Sequence, residues 1–269
     1  MKDDNNTKYK EYVNFADEVL RECGQIILKW RGKPSPIEGL YLNEAVSKYV
    51  SDHIFERLKE VYPNHNLYTK GSHDIGEIEY EWICDPLDGA FVYYKGLTSC
   101  VISMTLVHNG TPIIAAIYQP FMNDIYLAVE SCGVTKNGVR LKTNHQKLEK
   151  FMCIDEEWWP DAVYDIGKIV HGLSHEYSLY PIHLGSVVYS ACLVVEGVLT
   201  ATLFGGRLTG KNHEAAAVML LMQEAGGKYT DLNGTKIGFK GTMYGFIIST
   251  ENSFDQIRDG VNRYLGKAE

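Results

Sequence analysis

Apolar residues recur at helical intervals from Tyr9 to Trp30: Tyr12, Val13, Phe15, Ala16, Val19, Leu20, Cys23, Ile26, Ile27 and Trp30 share one face. The RGKPSP that follows cannot extend a helix, because proline lacks an N–H and crowds the preceding turn. The spacing therefore predicts one long opening helix. A second spans Glu44 to Val61, with Val46, Tyr49, Val50, Ile54, Leu58 and Val61 aligned and YPNH as its stop. After a polar loop the period changes to that of strands. YEWICD, TSCVISMTLVHNG, TPIIAAIYQP and DIYLAVE, joined by Asn-Gly and Pro-containing turns, predict an antiparallel meander, and the KNG at Lys136 to Gly138 predicts a further hairpin.

Beyond Lys150, strands and helices alternate. FMCID, YPIHLG, LTATLF and YGFIIST have strand character. DAVYDIGKIVHGL, SVVYSACLVVEG, NHEAAAVMLLMQEAGG and a terminal segment from Ser253 to Leu265 have helical character, with Ser186 as an N-cap and Gly197 as a stop. The pattern thus divides the chain into an N-terminal α+β lobe over residues 1–145 and a C-terminal α/β lobe over residues 146–269, with a soft boundary near Thr143 to Lys150.

At 269 residues and 45% hydrophobic, the chain can bury a sizeable core. Its formal net charge of -8 and scattered basic residues argue against a nucleic-acid footprint, which needs concentrated positive charge. The polar start, MKDDNNTKYK, lacks a signal-peptide core, and no apolar run approaches the ~20 residues of a membrane helix. A cytoplasmic location is the expectation. The six cysteines are dispersed, with no zinc spacing, and are expected to be reduced thiols in the core.

The densest chemistry lies in WICDPLDGA, Trp82 to Ala90. Two carboxylates at the end of a strand, Asp85 and Asp88, can turn toward one point, and Pro86 helps present the Leu87 carbonyl outward. Such hard oxygen donors suit Mg²⁺. Gly89 permits a tight turn, after which backbone N–H groups can cradle an anion. In isolation the string is better described as an Asp-Pro turn with solvated acids, since short D-P-x-D strings are common.

Taken with NHEAAAVMLLMQEAGG, with Gly185-Ser186 and with the order of elements, DPLDG resembles the inositol monophosphatase family over nearly the whole chain. That family carries D-P-[IL]-D-G-T in its first lobe and W-D-x-A-A-G followed by E-A-G-G in its second. The resemblance implies an α/β fold, a layered α/β/α/β/α sandwich, commonly a homodimer, and hydrolysis of phosphate monoesters with two or three Mg²⁺ ions. It also exposes departures. Lys70 stands where the G-E-E motif places a metal-binding glutamate. The T-x-x-D motif falls on Glu44 and Ser47, so its acid is a serine. Ala90 replaces the threonine that orients the attacking water, Glu214 replaces the aspartate of W-D, and FGGRLTG offers Arg207 where the family places an acid for substrate hydroxyls.

An inward Lys70 ammonium ~4 Å from a divalent ion would oppose it by roughly 8 kcal/mol at an effective dielectric near 20. The expectation is that Lys70 instead sits among Asp85, Asp88 and Glu214 and replaces one cation, so that no cofactor, or one weak Mg²⁺ on Asp85, Leu87, Asp88 and Glu214, remains. The leading expectation is a repurposed family member. It binds or transforms a small anionic or hydroxylated metabolite, with Lys70, Asp85, Asp88 and Glu214 as the chemical groups and Gly89, Ala90, Gly185, Ser186 and Arg207 contacting the ligand. One alternative is an atypical Mg²⁺-dependent phosphatase in which Asp74, Glu77, Glu79 or Glu81 supplies the missing acid. Another is a non-catalytic regulatory subunit. Tyr68, Tyr93 and Tyr94 flank the expected cleft and are read as packing, and His171 with His175 as surface.

Overall fold

The computed structural model describes residues 9–69, 79–144, 147–158, 162–206, 215–239 and 244–265. Two long helices open the chain, α1 (Lys10–Trp30) and α2 (Leu42–Val61). α2 begins two residues before Glu44 because Glu44 Oε2 accepts the Tyr41 N–H at 2.8 Å, reaching back to the otherwise orphaned donor at the helix start. The position resembling a metal-binding motif thus caps a helix.

Seven strands follow: β1 (Asn66–Tyr68), β2 (Tyr80–Asp88), β3 (Val101–His108), β4 (Thr111–Gln119), β5 (Asp124–Val129), β6 (Gly133–Lys136) and β7 (Val139–Leu141), with a short helix α3 (Ala90–Tyr94) after β2. They form one sheet in sequential order, antiparallel except for the parallel β1–β2 pair. The meander is as the alternation predicts. β1 was not expected, since three residues of intermediate burial leave no periodicity to read.

The second sheet has the order β11-β12-β10-β8-β9. It comprises β8 (Cys153–Glu157), β9 (Tyr180–Ile182), β10 (Ala201–Phe204), β11 (Lys228–Asp231) and β12 (Phe246–Ser249). The helices of this half are α4 (Ile166–Tyr177), α5 (Val187–Glu196), α6 (Ala215–Ala225) and α7 (Phe254–Tyr264). Two elements are displaced from their expected bounds. β8 runs to Glu157 rather than stopping at Asp155, while Phe151, at φ 70, lies outside it. α4 starts at Ile166, not Asp161, because Asp165 Oδ1 caps it by accepting the Lys168 N–H at 3.1 Å.

Period-two alternation sorts side chains between layers. On β3 and β4, Ile102, Met104, Ile114 and Ala116 meet α1 and α2, whereas Val101, Ala115 and Ile117 face α5 and α6. The other side of α5 and α6 packs on Phe204, Phe246 and Ile248 of the second sheet. That sheet's outer face, with Ile154, Leu203 and Ile247, is covered by α4 and α7. The result is the five-layer α/β/α/β/α sandwich anticipated from the sequence. The core between the two sheets is continuous through α5 and α6.

Polar ties cross it as well. Glu224 of α6 accepts N–H bonds from Ser131 at 2.9 Å and Gly133 at 2.8 Å, pinning the β5–β6 hairpin. Lys136 bridges Asp124 and Glu196 at 2.9 Å each, and the Tyr126 hydroxyl donates to Glu196. Glu224→Ala removes the acceptor for two backbone donors and is expected to cost about 1–3 kcal/mol. Urea unfolding measures it, with Glu224→Gln retaining part of the loss.

Candidate functional site at the junction of β2 and α5

β2 ends in a bulge. Asp85 pairs with Ser103 and Asp88 with Val101, so three steps on β2 oppose two on β3. Pro86, which cannot donate to the ladder, lies within it. Asp85 Oδ1 accepts the Leu87 N–H at 3.0 Å, forming an Asp-initiated turn, and Asp85 is only 9% exposed. Gly89 then adopts φ 83. A Cβ there would lie 2.8 Å from the Ser99 carbonyl, so both space and backbone angle require glycine before α3 starts at Ala90.

The bulge delivers Asp88 to the start of α5. Its Oδ2 accepts from the Ser186 hydroxyl at 2.6 Å and from the Val188 N–H at 2.8 Å. Ser186 Oγ in turn accepts the Tyr189 N–H at 3.3 Å, so the expected N-cap is in place. A carboxylate at this end also complements the helix dipole. The segment before α5 is tied to the β2 side twice more. Ser99 Oγ donates to the Leu184 carbonyl at 2.7 Å, and Gly185, at φ 76, lies so close to Val92 that a Cβ would be 2.5 Å from its Cγ1.

From the opposite side comes Glu157, which the sequence reading left out. Its Oε1 accepts the N–H groups of Gly185 at 2.6 Å and Ser186 at 3.0 Å, and the residue is 1% exposed. Gly185 and Ser186, expected to contact a ligand, here give their N–H groups to the chain's own carboxyl group. Two residues back on the same strand, fully buried Asp155 accepts the Leu184 N–H at 3.1 Å. The missed signal was CIDEE itself, since acids two apart on a central strand point to one face.

Burial pushes Asp155 up to about 7; the hydroxyls of Ser190 and Thr202 and the Leu184 N–H oppose that rise. Among the described residues neither hydroxyl makes a well-formed hydrogen bond, and Asp155 Oδ2 is buried without one. Glu157 is driven well above the usual carboxylate range by burial, then by the charges of Asp155 and Asp88, against the pull of its two backbone donors. His183 Nε2 lies 3.6 Å from Glu157 Oε2, but burial lowers the imidazole's pKa, so the contact is read as that of a neutral ring.

Asp85, Leu87, Asp88, Gly89, Ala90, Gly185 and Ser186 are therefore brought into one region, on β2, α3 and the start of α5. Lys70, Arg207 and Glu214 lie outside the described residues, as do Asp74 and Glu77. Two of the proposed substitute acids are placed elsewhere. Glu81 is four residues before Asp85 on the same strand, roughly 13 Å away at strand rise, and accepts from Asn66 Nδ2 at 3.1 Å. Exposed Glu79 faces His108 at 3.6 Å.

Tyr93 is a core residue whose hydroxyl donates to the Ile27 carbonyl, Tyr94 rests edge-on against Tyr41, and Tyr68 packs with Ile83. His171 and His175 meet edge-to-face on the exposed face of α4. The carboxylates of Asp85 and Asp88 and the Leu87 carbonyl are hard donors that fit part of a Mg²⁺ shell. Among the described residues no three His, Cys, Asp or Glu side chains gather as a metal-binding group.

The Asp155 shift has a definite sign. Its ordinary value is 3.8, so between about 4 and about 7 the unfolded chain has released a proton that the folded protein still holds. Stability from this group is present at low pH and is lost as pH rises through that window. Asp155→Asn is expected to raise Tm by more at pH 8 than at pH 5; an equal change at both would show that the carboxyl is not protonated in the fold.

Comparison with known proteins accords with this architecture. A putative Nus factor SuhB from Neisseria meningitidis is 29% identical over 235 residues, covering 83% of this chain and 88% of the relative. A fructose-1,6-bisphosphatase/inositol-1-monophosphatase from Aquifex aeolicus is 26% identical, covering 82% of this chain and 86% of its own. The solved IMPase of Thermotoga maritima superposes with a TM-score of 0.82 at 22% identity, over 94% of this chain and 97% of its own. The model of the inositol monophosphatase family matches residues 8–262, and the chain belongs to that family.

Proposed function

We propose that this phosphatase-fold chain binds or transforms a small phosphorylated or hydroxylated metabolite beside the β2–α5 junction, and that its multi-magnesium phosphomonoesterase chemistry is impaired. The observation that carries this is Ala90, which follows left-handed Gly89 as the first residue of α3 and bears no hydroxyl where the family's threonine orients water. In-line attack on phosphorus needs a positioned, partly deprotonated water, and a methyl group positions none. Lys70 at the position of a metal-binding glutamate adds a charge that opposes a divalent ion. Asp85, the Leu87 carbonyl, Asp88 and Glu214 are the residues that would hold one remaining Mg²⁺, which would polarise a phosphoryl oxygen. Asp88 already has Oδ2 committed to Ser186 and Val188, which favours a single weak site. Backbone N–H groups near Gly89 and the guanidinium of Arg207 are assigned to the ligand's anionic part. No helix among the described residues is long and apolar enough to cross a membrane. A homodimer is part of the proposal.

A second reading, a non-catalytic regulatory subunit, is favoured by one observation: the Neisseria relative carries the name of a putative Nus factor. An atypical phosphatase using a substitute acid has less support, since Glu79 and Glu81 are placed away from Asp85 and leave only Asp74 and Glu77 to serve.

Calorimetry with Mg²⁺ and hydrolysis of inositol and sugar monophosphates test the proposal. The unmodified protein is expected to turn over slowly, and Lys70→Glu with Ala90→Thr to raise the Mg²⁺-dependent rate on the order of 10²-fold. Rapid Mg²⁺-dependent turnover by the unmodified protein would overturn the reading. Binding of inositol phosphate without turnover would support it over a purely regulatory role.

A further inference from the structure

Helix N-termini attract anions because their first N–H groups have no partner within the helix. At the start of α5 those donors are shared out among the chain's own side chains. Glu157 Oε1 takes the N–H groups of Gly185 and Ser186, Ser186 Oγ takes that of Tyr189, and Asp88 Oδ2 takes that of Val188 together with the Ser186 hydroxyl. Glu157 approaches from β8 of the second sheet and Asp88 from the end of β2 in the first.

We propose that Glu157 is a specificity-determining and positioning residue: its carboxylate is a built-in ligand that fills the anion position at the start of α5. A bound metabolite's phosphate is thereby excluded from this end of the site, and the turn that orients Asp88 is fixed. The inference deepens the proposed function and rests on its placement of the ligand beside β2 and α5.

Three features support it. The N–H distances of 2.6 and 3.0 Å to one oxygen leave no space for a second acceptor. The nearby carboxylate of Asp88 disfavours an incoming anion as it disfavours ionised Glu157 itself. The position is nonetheless close to solvent, since His183, with its side chain 40% exposed, lies 3.6 Å from Glu157 Oε2. Removing the carboxylate would therefore open a route to two donors rather than merely leave a sealed void. Gly185 cannot swing aside to make room, because Val92 stands where its Cβ would be.

Amide ¹H–¹⁵N NMR of the intact protein, titrated with inorganic phosphate, reads each donor separately. In the unmodified protein the Gly185 and Ser186 amides are expected to stay still while those of Gly89 and Ala90 shift. In Glu157→Ala the Gly185 and Ser186 amides are expected to shift, with phosphate affinity raised at least tenfold. Glu157→Gln keeps an acceptor oxygen without the charge. It is expected to hold the turn and Tm near the parent values and, because its oxygen still fills the position, to leave the Gly185 and Ser186 amides still; Glu157→Ser, which vacates the position, serves if the alanine variant does not fold. Movement of the Gly185 and Ser186 amides in the unmodified protein overturns the inference, as does their failure to respond in a folded Glu157→Ala or Glu157→Ser protein. Stillness everywhere in the unmodified protein, with the response present in the alanine or serine variant, would support it and remove instead the phosphate placement at Gly89.

Discussion

At the start of α5 the two sheets are tied together by hydrogen bonds to carboxyl groups as well as by the apolar core around α5 and α6. Asp88, at the last position of β2, and Glu157, at the last position of β8, grip successive donors of one helical turn. Each sheet thus ends in a carboxylate that finds its partners on a helix belonging to the layer between them. Hydrogen bonds between a carboxylate and backbone N–H groups are among the stronger ones available to a protein. Here they set the distance between the strand ends that carry the candidate chemistry. The bulge at Asp85–Asp88, the left-handed Gly89 and the close approach of Gly185 to Val92 all lie at this junction.

The arrangement has an electrostatic cost. Asp88 and Asp155 both press on Glu157, and two of the three are almost wholly removed from water. A buried charge is tolerated only when paired, hydrogen-bonded or neutralised. Glu157 has two strong donors and still rises in pKa, while Asp155, with one backbone donor and two ill-placed hydroxyls, rises to about 7. A family member whose site is crowded with acids on both sides of α5 is poorly suited to add further negative charge there. Under the proposed function, that crowding and the absence of a hydroxyl at Ala90 both count against ordinary monoester hydrolysis.

Much of this was legible beforehand because it is local. The Ser186 cap and the Gly197 stop of α5 depend on a few neighbouring residues, and both are found where the chain's pattern puts them. Asp85, Leu87, Asp88 and Gly89 were recognisable as a strand-end turn because Pro86 and Gly89 each restrict the backbone in a known way. Glu157 escaped notice because nothing near it in the chain reveals its partners, which are 28 and 29 residues away. The start of α4 was misplaced because its apolar pattern runs upstream of Asp165, whereas the cap decides where the helix can begin.

By itself, then, the amino-acid sequence determined the periodic elements, their order, the family and the oxygen-rich turn, all of which arise from interactions within a few residues. Only the tertiary structure decided which donors the acids occupy. A helix N-terminus offers the same free N–H groups to a ligand as to a distant side chain, and proximity in space alone selects between them.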